Sequence, residues 1–170
     1  MTESNSKHIL SIMVDNEPGV LARIVGLFSG RGYNIESLSV SEVDSDRFLS
    51  RVTVVTSGTK NIIDQIKAQV IKLIPVHNLI DITELKSFIG KELILMKLDV
   101  DKKTVLKVHQ NIKNIGAKIL FEDKNVIIIE FSGTPTEISS LIKKMKVYNI
   151  VELTRSGLVS MAFGKDYIRR

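Results

Sequence analysis

Residues 8–41 read HILSIMVDNEPGVLARIVGLFSGRGYNIESLSVS, and this stretch decides the fold: an apolar strand over 8–14, a helix over 18–30 and a second strand over 33–42. Val20, Leu21, Ile24, Leu27 and Phe28 recur at helical spacing and give the helix one face to bury. The turn Asp15-Asn16-Glu17-Pro18-Gly19 feeds the strand into that helix. Pro18 is read at the first helical position, where a missing N–H costs nothing. The remaining first-turn amides, reinforced by the helix dipole, make the turn a place for an anion. Gly30 and Gly32 stop the helix. Their G-x-G follows a helix, whereas a dinucleotide fingerprint follows a strand.

Outward from this stretch the first half continues with a strand over 48–57, a helix over 60–74 striped by Ile62, Ile63, Ile66, Val70, Leu73 and Ile74, and a strand over 76–84. The second half repeats the order: strand 92–100, helix 102–115, strands 117–121 and 126–131, helix 135–146, strand 148–155 and a short extension at 158–163. Ser132-Gly-Thr-Pro135 marks both a turn and a helix start. Two βαββαβ units predict an α+β protein of two tandem ferredoxin-like domains, residues 1–84 and 92–170, joined by a linker over 85–91. Helices on one sheet face leave the other to be covered. Its apolar residues, Leu49 and Val55 among them, predict a second subunit there, most economically in a homodimer.

Of 170 residues, 44% are hydrophobic, enough for packed cores. No run approaches the roughly 20 apolar residues that cross a bilayer. The polar start, Met1 to His8, has no secretory signal, and there are no cysteines, so a cytoplasmic protein without a membrane role is expected. The net charge of +5 raises nucleic acid as a partner. The lysines are spread rather than interleaved with aromatics, which argues against it.

His8, His77 and His109 lie far apart with no metal-ligand spacing, so no metal site is expected. No nucleophile motif or phosphate loop is present, and no catalytic residue is assigned. Asp15 and Glu17 would repel a phosphate dianion. A zwitterion fits better. The amides at Gly19, Val20 and Leu21 receive its carboxylate, the Asn16 amide sits at the same mouth, and Gly19 allows close approach. Asn34 is a second neutral amide, far from its own Asn16 but able to face that of a symmetric partner. The alternative readings are a helix cap for Asn16 and a turn residue for Asn34.

Asn16-Glu-Pro-Gly-Val-Leu-Ala-Arg23, with Gly26-Leu-Phe-Ser29 and Arg31-Gly-Tyr-Asn-Ile-Glu-Ser-Leu38, resembles the small regulatory subunit of acetohydroxyacid synthase, also called acetolactate synthase. Its N-terminal part resembles an ACT domain, an amino-acid-sensing ferredoxin-like module. The resemblance continues through Ser50-Arg-Val-Thr53, returns at Val151-Glu-Leu-Thr-Arg-Ser-Gly157, and is looser between about 85 and 145. It implies a non-catalytic partner of a large catalytic subunit that uses thiamine diphosphate, Mg and FAD, with no cofactor bound by this chain. It also implies activation of that subunit and feedback inhibition in branched-chain amino acid biosynthesis. Carried over by position, Asn16, Gly19, Val20 and Leu21 of one chain and Asn34 and Ile35 of the other hold the effector. One methylene is worth about 1–3 kcal/mol of selectivity, which leaves valine, isoleucine and leucine as alternatives. The other function class, a free-standing ACT-type regulator acting on DNA or another protein, predicts no stable complex with such a catalytic chain.

Overall fold

The computed structural model describes residues 4–101, 103–164 and Ile168. The first three residues of the polar N-terminus, and Lys102 at the expected start of the third helix, lie outside that set. The described chain divides into two compact units, residues 1–89 with 158–170 and residues 90–157. The division falls inside the stretch read as a linker. Part of that stretch is strand, and the C-terminal segment groups with the first unit rather than the second.

In the first unit β1 (Ser6–Asp15), α1 (Val20–Ser29), β2 (Ser37–Asp44), β3 (Leu49–Gly58), α2 (Lys60–Val70) and β4 (Val76–Asp81) follow in sequence, with a 3-10 turn at Ile82–Glu84. The antiparallel sheet has the order β2-β3-β1-β4, as a split βαβ architecture requires. Leu10, Ile12 and Val14 of β1 and Val52 and Val54 of β3 face Val20, Ile24, Phe28, Ile63, Ile66 and Val70 of the two helices in one core. Alternation along the strands and the 3.6-residue period along the helices bring these residues together.

Helix α1 ends where the glycines predicted. Gly32 takes a left-handed φ of 72°, the Tyr33 N–H donates to the Phe28 carbonyl at 2.9 Å and the Gly32 N–H to that of Ser29 at 3.2 Å. This is a Schellman closure, sealed by Tyr33 edge-on to Phe28 with ring centroids 6.4 Å apart. The second unit repeats the device at Gly116, whose N–H donates to Lys113 while that of Ala117 donates to Ile112.

The second unit carries β5 (Phe88–Asp99, beginning in the first unit), α3 (Val105–Ile115), β6 (Lys118–Asp123), β7 (Val126–Gly133), α4 (Pro135–Met145) and β8 (Asn149–Arg155), with sheet order β6-β7-β5-β8. A capping box between Thr134 and Glu137 starts α4, with Pro135 in its first turn. Helix α3 starts at Val105, later than the expected 102, because the Asp101 carboxylate accepts the Lys103 and Thr104 amides and holds them in a turn. The Thr104 hydroxyl and these amides hold the Asp101 carboxyl below its usual range.

The sheet face of the first unit turned away from its helices was expected to need another subunit. Much of it is covered by the chain itself. Ile9 and Val55 are buried with Ile82 and Leu158, and Met13 and Leu49 with Ile168. Next to these residues runs the strand β9 (Val159–Ala162); the Leu158 N–H donates to the Ser37 hydroxyl at 3.2 Å, and the Phe163 N–H to the Ser87 carbonyl at 3.1 Å. Burial of a leucine this deeply predicts that Leu158→Ala lowers the unfolding free energy by about 2–3 kcal/mol in a denaturant titration. A change below about 0.5 kcal/mol is what an exposed leucine would give, and would show that the segment does not cover this face.

Candidate functional site

The turn after β1 is held by two neighbouring segments. The Asp15 N–H donates to the Pro75 carbonyl at 2.9 Å, and the Asp15 carboxylate meets His77 Nε2 at 2.5 Å. The Asn16 N–H donates to the Phe48 carbonyl at 2.6 Å. Phe48 sits in a left-handed conformation, φ 51°, with its residue surface 68% exposed. An aromatic residue in that region costs on the order of 1 kcal/mol and persists because β3 and the Asn16 contact fix it.

Pro18 does not open the helix. Gly19 is the N-cap, at φ 85°, and α1 starts at Val20. The left-handed turn places Gly19 where an L side chain is strained, although a Cβ there would meet nothing within 4 Å. The space over the backbone is open, as close approach by a ligand requires. Val20 differs from expectation. Its amide already donates to the Glu17 carbonyl at 3.3 Å, and its side chain is buried in the core. The Gly19, Leu21 and Ala22 amides have no acceptor among the described residues, and Leu21 is 39% exposed beside them. Ala22 is an addition that residue types alone did not single out. No side chain caps the helix, so Asn16 is not its cap, and the Asn16 side chain is exposed at the mouth.

Asn34 and Ile35 lie elsewhere. The Thr56 hydroxyl donates to the Asn34 carbonyl at 2.7 Å, the Glu36 N–H to that of Val55 at 2.8 Å, and Ile35 packs on the core. The Glu36 carboxyl meets Lys7 at 2.7 Å and accepts from Ser57, and these partners hold it below its usual range. Along β1 and β3 the register runs from His8 opposite Thr56 to Asp15 opposite Leu49. Those seven steps separate the Asn34 end from the Asn16 end by about 23 Å. Asn16, Gly19, Val20 and Leu21 are brought together in one chain; Asn34 and Ile35 are not brought to them.

Phe48, Pro75 and His77, which support the turn, carry no local signal, since strand pairing brings them to Asp15 and Asn16 over long sequence distances. Each histidine is paired with a carboxylate: His8 with the buried Asp81 at 2.6 Å, His77 with Asp15, and His109 with Glu122 at 2.8 Å. Among the described residues no three metal-ligating side chains gather, and no helix is long and apolar enough to cross a membrane.

Comparison with known proteins adds to this geometry. Residues 10–78 match the family model of the AHAS small subunit-like ACT domain, and residues 91–164 match that of the small subunit of acetolactate synthase. The acetolactate synthase small subunit of Buchnera aphidicola is 40% identical over 157 residues, covering 91% of this chain and 98% of that protein. The acetolactate synthase isozyme 3 small subunit of Escherichia coli is 32% identical over 164 residues, covering 96% and 99%. The crystal structure of the acetolactate synthase small subunit from Thermotoga maritima superposes with a TM-score of 0.87 at 28% identity, covering 95% of this chain and 99% of that one.

Proposed function

This chain belongs to the acetolactate synthase small subunits, the regulatory subunits of branched-chain amino acid biosynthesis, and on that premise we propose how it regulates. It carries out no reaction of its own, binds no cofactor and works in the cytoplasm, where it pairs with a copy of itself and with the catalytic subunit that holds thiamine diphosphate, Mg and FAD. A branched-chain amino acid binds where two ACT units meet. Its carboxylate sits on the Gly19 and Leu21 amides and beside the Asn16 amide side chain of one chain. Its ammonium and side chain meet Asn34 and Ile35 of the other.

The observation that carries this reading is the separation of Asn16 from Asn34 by the length of the sheet. A site using both residues must therefore be made by two chains. Strand β2 lies at a sheet edge and exposes Val40 and Val43. Two copies joined antiparallel along that edge would set the β2 start of one beside the β2 end and turn of the other. Effector binding then shifts the assembly by the difference in its affinity for two states, typically about 1–3 kcal/mol.

A mixing experiment tests this. Asn16→Ala and Asn34→Ala chains each lose inhibition by valine when reconstituted separately with the catalytic subunit. Refolded together one to one, they recover about a quarter of the sites, because a mixed dimer has one doubly altered and one intact site. No recovery on mixing rules out a site shared between chains.

A further inference from the structure

We propose that the end of the second unit where α3 begins and α4 ends is the docking surface for an acidic, partly apolar surface of the catalytic subunit. The proposal rests on the family reading above, which supplies the partner. Asp99 at the end of β5 pairs with Val126 on one side and Asn149 on the other, and the Val100 N–H donates to the Asn125 carbonyl. The start of α3, the β6–β7 turn and the end of α4 therefore meet at one end of this sheet.

Those three segments carry six exposed lysines, Lys103, Lys107, Lys124, Lys143, Lys144 and Lys146. None of the six ammonium groups has a carboxylate partner among the described residues, nor do Lys113 and Lys118 elsewhere in the unit, whereas Lys91 and Lys97 pair with Glu137 and Glu152; what distinguishes this end is the gathering of six such lysines. The acids at this end are already occupied. Asp101 holds the Lys103 and Thr104 amides, Asp123 the Lys124 amide, and Asp99 the Asn149 side chain. Three carboxylates against six ammonium groups leave a local excess of positive charge, in an end that also exposes Leu106 by 79% and Val147 by 77%. Two apolar side chains exposed so far among unpaired charges fit an interface with a polar rim rather than a solvated face. The chemistry favours protein over nucleic acid: there is no arginine in the cluster, and Tyr148, the aromatic beside it, is turned inward to the Asn111 amide at 2.6 Å.

Charge of this kind acts mainly on the rate of encounter and on its salt dependence. The test measures association of the full chain with its catalytic subunit by surface-immobilised binding at two salt concentrations. Lys107→Glu/Lys143→Glu/Lys144→Glu is expected to slow association at least about tenfold at low salt and to flatten its salt dependence. Leu106→Ser weakens binding through faster dissociation. The same charge change on the first unit, Lys60→Glu/Lys72→Glu/Lys86→Glu, leaves association within about twofold of the parent chain. Thermal unfolding and valine binding by each isolated variant check that the fold is retained. An unaltered association rate for the first variant overturns the proposal, as does an equal loss in the first-unit control or an effect confined to a DNA duplex. Failure of the parent chain to bind the catalytic subunit would overturn the family reading instead.

Discussion

Gly19→Asp is expected to abolish inhibition by valine in the reconstituted enzyme while activation of the catalytic subunit persists. Gly19 sits at the mouth between Asn16 and the Leu21 amide, with nothing within 4 Å of the position a Cβ would take. In the proposed site a carboxylate added there occupies the space in which the effector's own carboxylate would be held. Two like charges about 4 Å apart near a protein surface repel by roughly 4 kcal/mol. The half-inhibitory concentration of valine should then rise by at least about a hundredfold. Backbone strain alone is separated from charge by Gly19→Asn, which has the same shape and, like Asp, tolerates the left-handed region better than other side chains. Both variants lose about 1 kcal/mol of stability. Only the charged one should lose the carboxylate subsite, by at least about tenfold relative to Asn. Titrating valine, isoleucine and leucine against each reconstituted variant reads the effect. Unchanged inhibition in Gly19→Asp would place the effector elsewhere.

Phe28→Ala should produce the largest loss of stability, about 3–5 kcal/mol in the unfolding free energy. Phe28 is among the largest fully buried side chains, sits with Ile24 and Val20 on the inward face of α1, and contributes both the carbonyl that Tyr33 bonds and the ring that Tyr33 packs against. Its removal opens a cavity and loosens the closure of the helix. Tyr33→Leu keeps the apolar contact and loses the edge-to-face term, about 0.5–1.5 kcal/mol, together with the long, exposed hydrogen bond from the Tyr33 hydroxyl to Gln65 Oε1 at 3.4 Å. Denaturant midpoints at unchanged slope measure both. Equal effects of the two substitutions would show that the ring contact rather than core burial dominates.

Much of the fold was legible because it is written locally. The stripes of α1 and α2 bury Val20, Ile24, Phe28, Ile63, Ile66 and Val70 as their spacing indicates, while Leu21 stays exposed and Ile74, past the end of α2 at Val70, is 95% exposed; Gly30-Arg31-Gly32 stops α1 as read. The misreadings are also local. Pro18 falls before the cap because Gly19 adopts a left-handed φ that interrupts the helical run, and residue type alone does not set φ. The expected start at Lys102 ignored the competing turn that the Asp101 carboxylate makes with two amides. At the proposed site, Asn16, Gly19, Val20 and Leu21 could be read together because they lie within one turn of chain, whereas the bond of the Val20 amide to Glu17 is a detail of the turn's geometry that residue types do not show.

By itself the sequence determined the two βαββαβ units, the strand-turn-helix that presents free amides, the breaks at its glycines and the family to which the chain belongs. Tertiary structure alone decided that Leu158 and Ile168 cover a sheet face reserved for a partner, that His77 and Phe48 support the turn, and that Asn34 ends a sheet-length away from Asn16. The physical reason is the same in each case. Periodicity and turn chemistry act over a few residues and can be read from them. Burial is non-directional, and strand register is set by pairing between distant segments, so which surface is covered and which residues share an end of the sheet emerge only when the chain folds.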